Sequence, residues 1–441
     1  MRCRDLWTHW RVSAVCVTGF LALVAGRLTS VAIAGELYDF HHENVLGTSL
    51  EIQVLASDAA AAGRAERRVL ATIDRLDAVF STWNRDSEFS QWQAGGAELR
   101  PISPDLAEVL EEAERWQQAT GGAFHAGARL FSEIWSAAER RNALPAVDEL
   151  ARGVRALQTA PWVLAPPAVA GGPHRAGRPS DYPLSLNAIA KGYIVDEACR
   201  ALLASPPGSP GQVEAGLVKI GGDLRVLGHW HRPVVIRDPA RPAGSGVGLQ
   251  VAIENAGLAT SGNAWRGFTV AGTRYSHVID PRSGWPVEQV VSATVVAPSA
   301  QQADALATAF SVLGVAESLA LARRVPNVEC LLIDREGRRS TSPGWNLRAW
   351  STGTEFQLAQ RGAGRTLVPS SRPTPNARNP PPTGMGVSSW RSSSRLPMSM
   401  GDAATAGPTS RSGSKMPRDI PCGHWHCGSR RPARDRGGFP I

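Results

Sequence analysis

Lysine is scarce in this 441-residue chain: three of its 47 basic residues are lysine, Lys191, Lys219 and Lys415. Arginine replaces lysine readily on most solvated surfaces, so the positions that keep lysine are worth attention. A compact ammonium can neutralise one phosphate or ring oxygen in a tight pocket that a planar guanidinium does not fit. Lys191 and Lys219 both lie in glycine-containing segments, which makes them candidates for such a role. Chance retention is the alternative for each.

Cysteine is also rare, with six residues in the whole chain. Between the two chain ends only Cys199 and Cys330 remain, each in an apolar segment. A framework of disulfides needs more cysteines than this, even in an oxidising compartment. The fold must therefore depend on its apolar core.

Residues 1–34 have the pattern of an export signal. Three arginines precede an apolar run over 12–26, and Ala32 and Ala34 supply small residues before a cleavage point. The run is short for a membrane span. We therefore expect an exported, periplasmic protein, with an uncleaved segment that anchors it at the inner membrane as the alternative.

The positive charge of the chain is concentrated near its end. From Arg361 onward there are 13 basic and 3 acidic residues, so the whole-chain net charge of +8 leaves the preceding residues slightly acidic. Pro, Ser and Gly fill the gaps, and such a segment cannot bury enough apolar surface to offset the entropy of ordering it. We expect 351–441 to be a disordered tail, and the body to have no affinity for nucleic acid.

Residues 36–350 remain for the folded body, long enough for one large domain or two intimately joined ones, and their periodicity predicts an α+β fold. A strand over 49–55 precedes a helix over 59–80, and a second amphipathic helix runs over 105–120. A later helix carries Lys191. Short strands are predicted at 217–220, 224–227, 234–237, 248–253, 267–270, 275–279 and 291–297, followed by a helix over 301–313 and a final helix and strand.

Asp304 and Thr308 form the first candidate site. They stand four residues apart, so on a helix they share one face, and Ser299 is a suitable N-cap for that helix. A carboxylate and a hydroxyl are hard oxygen ligands suited to Mg²⁺, which takes its remaining ligands from water and substrate phosphates. The alternative is that Asp304 only favours the helix dipole and Thr308 is an ordinary helix residue.

His277 is the second candidate, a potential proton acceptor at the end of a predicted strand. A turn at Asp280 and Pro281 could bring the Asp280 carboxylate back toward the imidazole. A histidine in a strand can equally be a satisfied core or edge residue. Upstream, 260–262 offer hydroxyls and backbone amides that could contact a phosphate.

Taken together, these segments resemble the FAD:protein FMN transferases, the ApbE flavin transferase family. The resemblance covers about 46–345 and depends on nine segments in one order. They are LGT at 46–48, STWNRDSEFS at 81–90, TGGAF at 120–124, AIAKGY at 188–193, IGGD at 220–223, IRDP at 236–239, ATSG at 259–262, YSHVIDPRSGWP at 275–286 and ADALAT at 303–308. Each segment alone is weak evidence, but chance does not account for nine in order.

The resemblance implies a T-fold-like α+β domain that transfers the FMN part of FAD to a Ser or Thr hydroxyl of an acceptor redox protein. AMP would leave, and Mg²⁺ would act at the pyrophosphate. The implied metal ligands are the Ala188 carbonyl, Asp304 and Thr308, and the implied base is His277. The residues implied to contact FAD are Leu46, Trp83, Ala123, Phe124, His125, Ser185, Lys191 and Ile279, with Trp83 stacked on a ring of the flavin nucleotide.

The chain departs from the family pattern at the flavin-binding positions. The family commonly has Asp at the positions of Ser185 and His125, Gly at Asn187, and Met at Leu46. These differences change the polar contacts to the flavin or ribose. Two other functions therefore stay open: an Mg²⁺-dependent FAD pyrophosphatase, in which water replaces the acceptor hydroxyl, and a non-catalytic flavin-binding protein.

Overall fold

The computed structural model describes residues 35–204, 212–237, 239, 249–262, 267–345 and 365–366. The predicted signal peptide and nearly all of the predicted tail lie outside these ranges. Within them, no helix is both long enough and apolar enough to cross a bilayer.

The helices follow the apolar spacing of the sequence. The first runs over Ala59–Phe80, as predicted, because Val69, Ile73 and Leu76 recur at helical spacing and are buried. The Asp58 side chain caps it by accepting a hydrogen bond from the Ala61 N–H at 2.7 Å. The described helices are α1 (Ala59–Phe80), α2 (Glu88–Gln93), α3 (Pro104–Ala119), α4 (Arg129–Arg141), α5 (Val147–Ala156), α6 (Ala190–Leu203), α7 (Ala300–Leu313) and α8 (Val315–Ala322).

The main sheet has nine strands in the order β15-β14-β13-β10-β7-β6-β2-β1-β16. Its strands are β1 (Glu36–Val45), β2 (Thr48–Ala56), β6 (Val213–Ile220), β7 (Asp223–Leu227), β10 (Gly257–Gly262), β13 (Val290–Ala297), β14 (Glu329–Asp334), β15 (Arg339–Thr341) and β16 (Arg365–Thr366). Neighbouring strands are antiparallel except β1 and β16. Three small sheets flank it, formed by β3 (Arg100–Ile102), β4 (Val163–Ala165) and β5 (His174–Gly177), by β8 (Arg232–Ile236) and β9 (Leu249–Ile253), and by β11 (Gly267–Val270) and β12 (Thr273–Ser276).

Helices α6 and α7 pack on the sheet and against each other, α6 on β6 and β7, and α7 on β10 and β13. Their contact is close because Gly192 has no side chain to separate them: a Cβ there would lie 2.4 Å from the Ala300 carbonyl oxygen. Asp196 of α6 fixes the alignment, since its two carboxylate oxygens accept the N–H groups of Ala300 and Gln301 at 2.9 Å each. Ser299 caps α7, as predicted.

Several elements differ from the sequence predictions. Strand β12 ends at Ser276, so His277 follows the strand instead of lying within it. Strands β1, β3, β4, β5, β10 and β15 and helices α2, α4 and α5 were not predicted. Strand β16 comes from the segment predicted as a tail, and pairs two residues with the free edge of β1.

Candidate functional site

The candidate site lies at the end of β10, where this strand pairs with only one of its two neighbours. Strand β13 pairs with β10 along 257–262, whereas β7 pairs with β10 only at Gly257 and Leu258. The pairing stops there because β7 begins at Asp223, directly after the tight turn at Gly221 and Gly222. The end of β10 therefore extends past β7, and 260–262 line a cavity of about 690 Å³.

Most residues predicted for the site lie around this cavity. The predicted residues that line it are Trp83, Ala123, Phe124, His125, Ser185, Ala188, Lys191, His277, Ile279, Asp304 and Thr308. Leu46 does not: it lies in the turn between β1 and β2 at a φ of 50° and is partly buried against the core. The fold thus brings together eleven of the twelve predicted residues from segments far apart in the chain.

Two buried carboxylates, those of Asp223 and Asp304, lie near the ammonium of Lys191, which lines the cavity. The Lys191 Nζ lies 2.6 Å from Asp223 Oδ2, and the Asp223 side chain is 1% exposed. Asp304 is 6% exposed and close enough to Asp223 for their carboxyl groups to interact directly. No described backbone N–H donates to Asp223, so the lysine charge is its main compensation.

This arrangement shifts the titration of both acids. Burial raises the pKa of Asp223, the neighbouring Asp304 carboxylate raises it further, and the Lys191 charge opposes both effects. Burial also raises the pKa of Asp304, while Lys191 and the Gly192 N–H lower it. One positive charge does not balance two buried carboxylates, and a divalent cation would supply the missing charge.

The start of α6 provides a free carbonyl beside these acids. In a regular helix the Gly192 N–H would donate to the carbonyl of Ala188, four residues earlier. Here it donates to Asp304 Oδ2 at 3.3 Å, and no described backbone N–H donates to Ala188. The Ala188 carbonyl, the Asp304 carboxylate and the Thr308 hydroxyl thus line one cavity as three oxygen donors.

These three donors suit magnesium better than zinc. Zn²⁺ sites in proteins are built mainly from Cys and His, whereas Mg²⁺ prefers oxygen ligands and keeps several waters. The described residues contain no group of three or more His, Cys, Asp or Glu that could hold a metal ion. The donor set therefore fits an ion that completes its coordination with water and substrate oxygens.

His277 reaches the cavity on the β11–β12 hairpin, which is not part of the main sheet. Helix α4 holds this hairpin: Glu139 accepts the Thr269 N–H and Asn142 accepts the Ala271 N–H, each at 2.7 Å. The Trp135 ring packs on Tyr275 with 4.8 Å between ring centroids. The position of His277 is consequently set by α4.

The Asp280 carboxylate, which the turn could bring back toward His277, pairs with Arg282. Both of its oxygens accept hydrogen bonds from Arg282, at 2.9 Å from Nε and 2.8 Å from the terminal nitrogen. The turn that follows is fixed by Trp135, whose Nε1 donates to the Gly284 carbonyl at 2.9 Å. Gly284 has a φ of +74° and a Cβ there would meet Phe131 at 2.5 Å, so this turn requires glycine.

His125 stands where the family commonly has Asp, and it has a structural role that Asp could also fill. His125 Nδ1 accepts the Gly127 N–H at 2.9 Å and so caps the short 3₁₀ turn over Ala126–Ala128. Burial lowers the pKa of His125, which favours the neutral ring that this bond requires. Ser185 acts similarly, since its hydroxyl accepts the Asn187 N–H at 3.3 Å.

The sequence did not reveal two groups of residues at this site. Asp223, which pairs with the cavity residue Lys191, was predicted only as part of a motif and was given no partner. Helix α4 contributes a polar stripe of Arg129, Ser132, Glu133 and Ser136, opposite its buried Phe131 and Trp135. The stripe has helical spacing, but a polar helix face by itself indicates only exposure to solvent.

The two lysines of the body have different surroundings. Lys191 lines the cavity, whereas Lys219 forms a cross-strand pair with Glu51 of β2 at 2.6 Å, with both side chains about one-third exposed. Trp83 is 93% exposed at the cavity rim. A ring that is so accessible is free to stack on a ligand.

The chain is similar to known proteins over most of its length. The model of the ApbE family matches residues 46–332. A FAD:protein FMN transferase of Treponema pallidum is 31% identical over 357 residues, 76% of this chain and 94% of that protein. A protein of the same name from Haemophilus influenzae is 27% identical over 296 residues, 63% of this chain and 82% of that protein.

Solved structures show the same fold. The ApbE protein of Thermotoga maritima superposes with a TM-score of 0.59 at 23% identity, covering 72% of this chain and all of that one. The apo flavinyl transferase ApbE of Pseudomonas stutzeri gives 0.58 at 22% identity, covering 72% of this chain and 98% of that one. The predicted α+β flavin transferase fold is confirmed.

Proposed function

Since the chain belongs to the ApbE family, we propose that it is a FAD:protein FMN transferase, which moves the FMN part of FAD to a protein acceptor. The observation that carries the proposal is the Lys191 ammonium, paired with the buried Asp223 carboxylate, in a cavity that Asp304 and His277 also line. A diphosphate needs positive charge around its oxygens, and the acceptor hydroxyl needs a base. The cavity offers both.

In this proposal the Ala188 carbonyl, Asp304 and Thr308 hold Mg²⁺. The ion, when bound, neutralises charge on the diphosphate oxygens as a Lewis acid. The freed Ala188 carbonyl and the pKa values of Asp223 and Asp304, raised by burial without enough compensating positive charge, support this assignment. The Lys191 ammonium would then contact a phosphate oxygen, and Trp83 would stack on a ring of the flavin nucleotide.

The acceptor would be a Ser or Thr hydroxyl, and His277 would take its proton. The hydroxyl oxygen bonds to the phosphorus of the FMN half while the bond between that phosphorus and the bridging oxygen breaks. AMP leaves with that oxygen. The side chains of the cavity act by position and charge, because such a transfer needs little covalent help from the protein.

The proposed setting is outside the cytoplasm, with an exported redox protein as the acceptor. This depends on the signal-like pattern of residues 1–34, which lie outside the described residues. The signal-like segment is also compatible with an enzyme held near the membrane.

A mass spectrum of the reaction products tests the proposal. The protein is incubated with FAD, Mg²⁺ and peptides that each carry one Ser or Thr, with matched peptides that carry Ala as controls. We expect the mass of FMN on hydroxyl peptides and free AMP. Free FMN with AMP and no labelled peptide would instead identify an FAD pyrophosphatase, and unchanged FAD would identify a flavin-binding protein.

A further inference from the structure

The Lys191 ammonium interacts with two carboxylates, those of Asp223 and Asp304. It pairs with Asp223 at 2.6 Å, yet its charge is also the largest influence that lowers the pKa of Asp304. The lysine therefore lies within electrostatic reach of the carboxylate that we assign to the metal. An ammonium and a divalent cation compete for the same anionic oxygens.

The backbone fixes Asp223 much more firmly than the lysine stem fixes its ammonium. Asp223 is the first residue of β7 and pairs with Ile220 across a two-residue turn. Gly221 in this turn has a φ of +59°, a conformation that glycine adopts without strain. Lysine, by contrast, carries its charge on a flexible four-carbon stem. The Lys191 ammonium is therefore located by Asp223.

We propose that Asp223 is a positioning residue that holds the Lys191 ammonium away from Asp304, so that the Asp304 carboxylate stays available to a divalent cation. The inference rests on the metal site of the proposed function. It gives a task to a buried acid that is not assigned as a metal ligand and that lies on a different element from both Lys191 and Asp304.

A purely structural role makes a different prediction. If Asp223 only contributes a buried ion pair to the fold, its removal lowers stability and leaves Lys191 irrelevant to metal binding. If it restrains the ammonium, its removal allows Lys191 to pair with Asp304, and metal affinity falls. Removal of the lysine as well should then restore metal affinity, which a structural role cannot explain.

The test measures binding of Mn²⁺ alone to the full chain by electron paramagnetic resonance, together with thermal melting of each variant. We expect Asp223→Asn to weaken Mn²⁺ binding about tenfold, equivalent to about 1.4 kcal/mol. The double variant Lys191→Met with Asp223→Asn should return to within about twofold of the wild type. Glu51→Gln is the matched control, because it removes the partner of Lys219 from an ion pair of the same 2.6 Å length, and should leave Mn²⁺ binding unchanged.

Equal Mn²⁺ affinity in wild type and Asp223→Asn would overturn the inference, as would a double variant that stays as weak as the single one. If Asp223→Asn does not fold, Asp223→Ser places a smaller polar group at the same position and is held to the same outcomes. A wild-type protein without saturable Mn²⁺ binding would overturn the metal site itself and this inference with it. FAD binding, followed separately, shows whether the rest of the proposed function survives.

Discussion

Replacement of Gly192 by alanine should separate α6 from α7 and damage both the fold and the site. A Cβ at this position would lie 2.4 Å from the Ala300 carbonyl oxygen and 2.6 Å from the Gln301 Cα. These are backbone atoms of the first turn of α7, so no side-chain rotation can relieve the contact. The helices must move apart by about 1 Å to reach ordinary van der Waals distance.

Three effects decide the size of the change. Alanine in a helix is favoured over glycine by about 1 kcal/mol, which opposes the damage. Overpacking costs about 1–3 kcal/mol, and the rigid backbone contact puts this site near the upper value. The shift also strains the Asp196 hydrogen bonds to α7, each contributing about 1 kcal/mol. The net loss in the free energy of unfolding should be about 2–4 kcal/mol.

Urea denaturation of the folded body measures this loss, with Gly63→Ala as the matched control. Gly63 lies inside α1, where an added Cβ would meet the end of the flexible Arg67 side chain at 3.6 Å, an ordinary contact distance. We expect this control to gain about 0.5–1 kcal/mol from helix propensity alone. If Gly192→Ala is as stable as Gly63→Ala, the contact between α6 and α7 has room for a Cβ at position 192, and the packing argument is refuted.

The other predictions concern the site and the chain end. Asp304→Ala should reduce Mg²⁺-dependent AMP release more than about 100-fold, and equal rates at limiting Mg²⁺ would remove Asp304 from the metal site. On the hypothesis that the pocket beside the buried Asp223 carboxylate admits a point charge and no guanidinium fork, Lys191→Arg should lose AMP release nearly as fully as Lys191→Ala; a wild-type rate would contradict this. Lys219→Arg should be tolerated, since its pair with Glu51 is partly exposed and contributes about 0–1 kcal/mol. Truncation after Gly362 should leave FMN transfer intact, because it removes only the two-residue pairing of β16 from the described sheet; loss of activity would show that the tail docks.

Local signals were sufficient for α1 and for α7. The apolar spacing of Val69, Ile73 and Leu76 defines α1, and the four-residue spacing of Asp304 and Thr308 defines their shared face on α7. Both depend on residues one or two turns apart, so a reading of the sequence alone captures them. The nine segments that resemble the family then identified most of the cavity residues, because each segment could be matched to the family in its order along the chain.

The partner of Asp223 could not be predicted in the same way. Lys191 precedes it by 32 residues, and only the packing of α6 on β7 brings the two together. The pairing of Asp280 with Arg282 is local, but either neighbour, His277 or Arg282, was compatible with the same turn. The polar stripe of α4 could not be assigned to the cavity from the sequence either. A helix face that lines a cavity and a helix face that is exposed to bulk water carry the same kinds of polar side chain.

The hydrogen bond between Gly192 and Asp304 makes the two proposed oxygen ligands, the Ala188 carbonyl and the Asp304 carboxylate, interdependent. If Asp304 lost its carboxylate, the Gly192 N–H would be released to complete the ordinary helical bond to Ala188. That carbonyl would then be occupied, so one substitution would withdraw two ligands. The energetic effects of changes at these positions should accordingly be non-additive, and an extra helical turn at the start of α6 would be the visible mark of an inactive site.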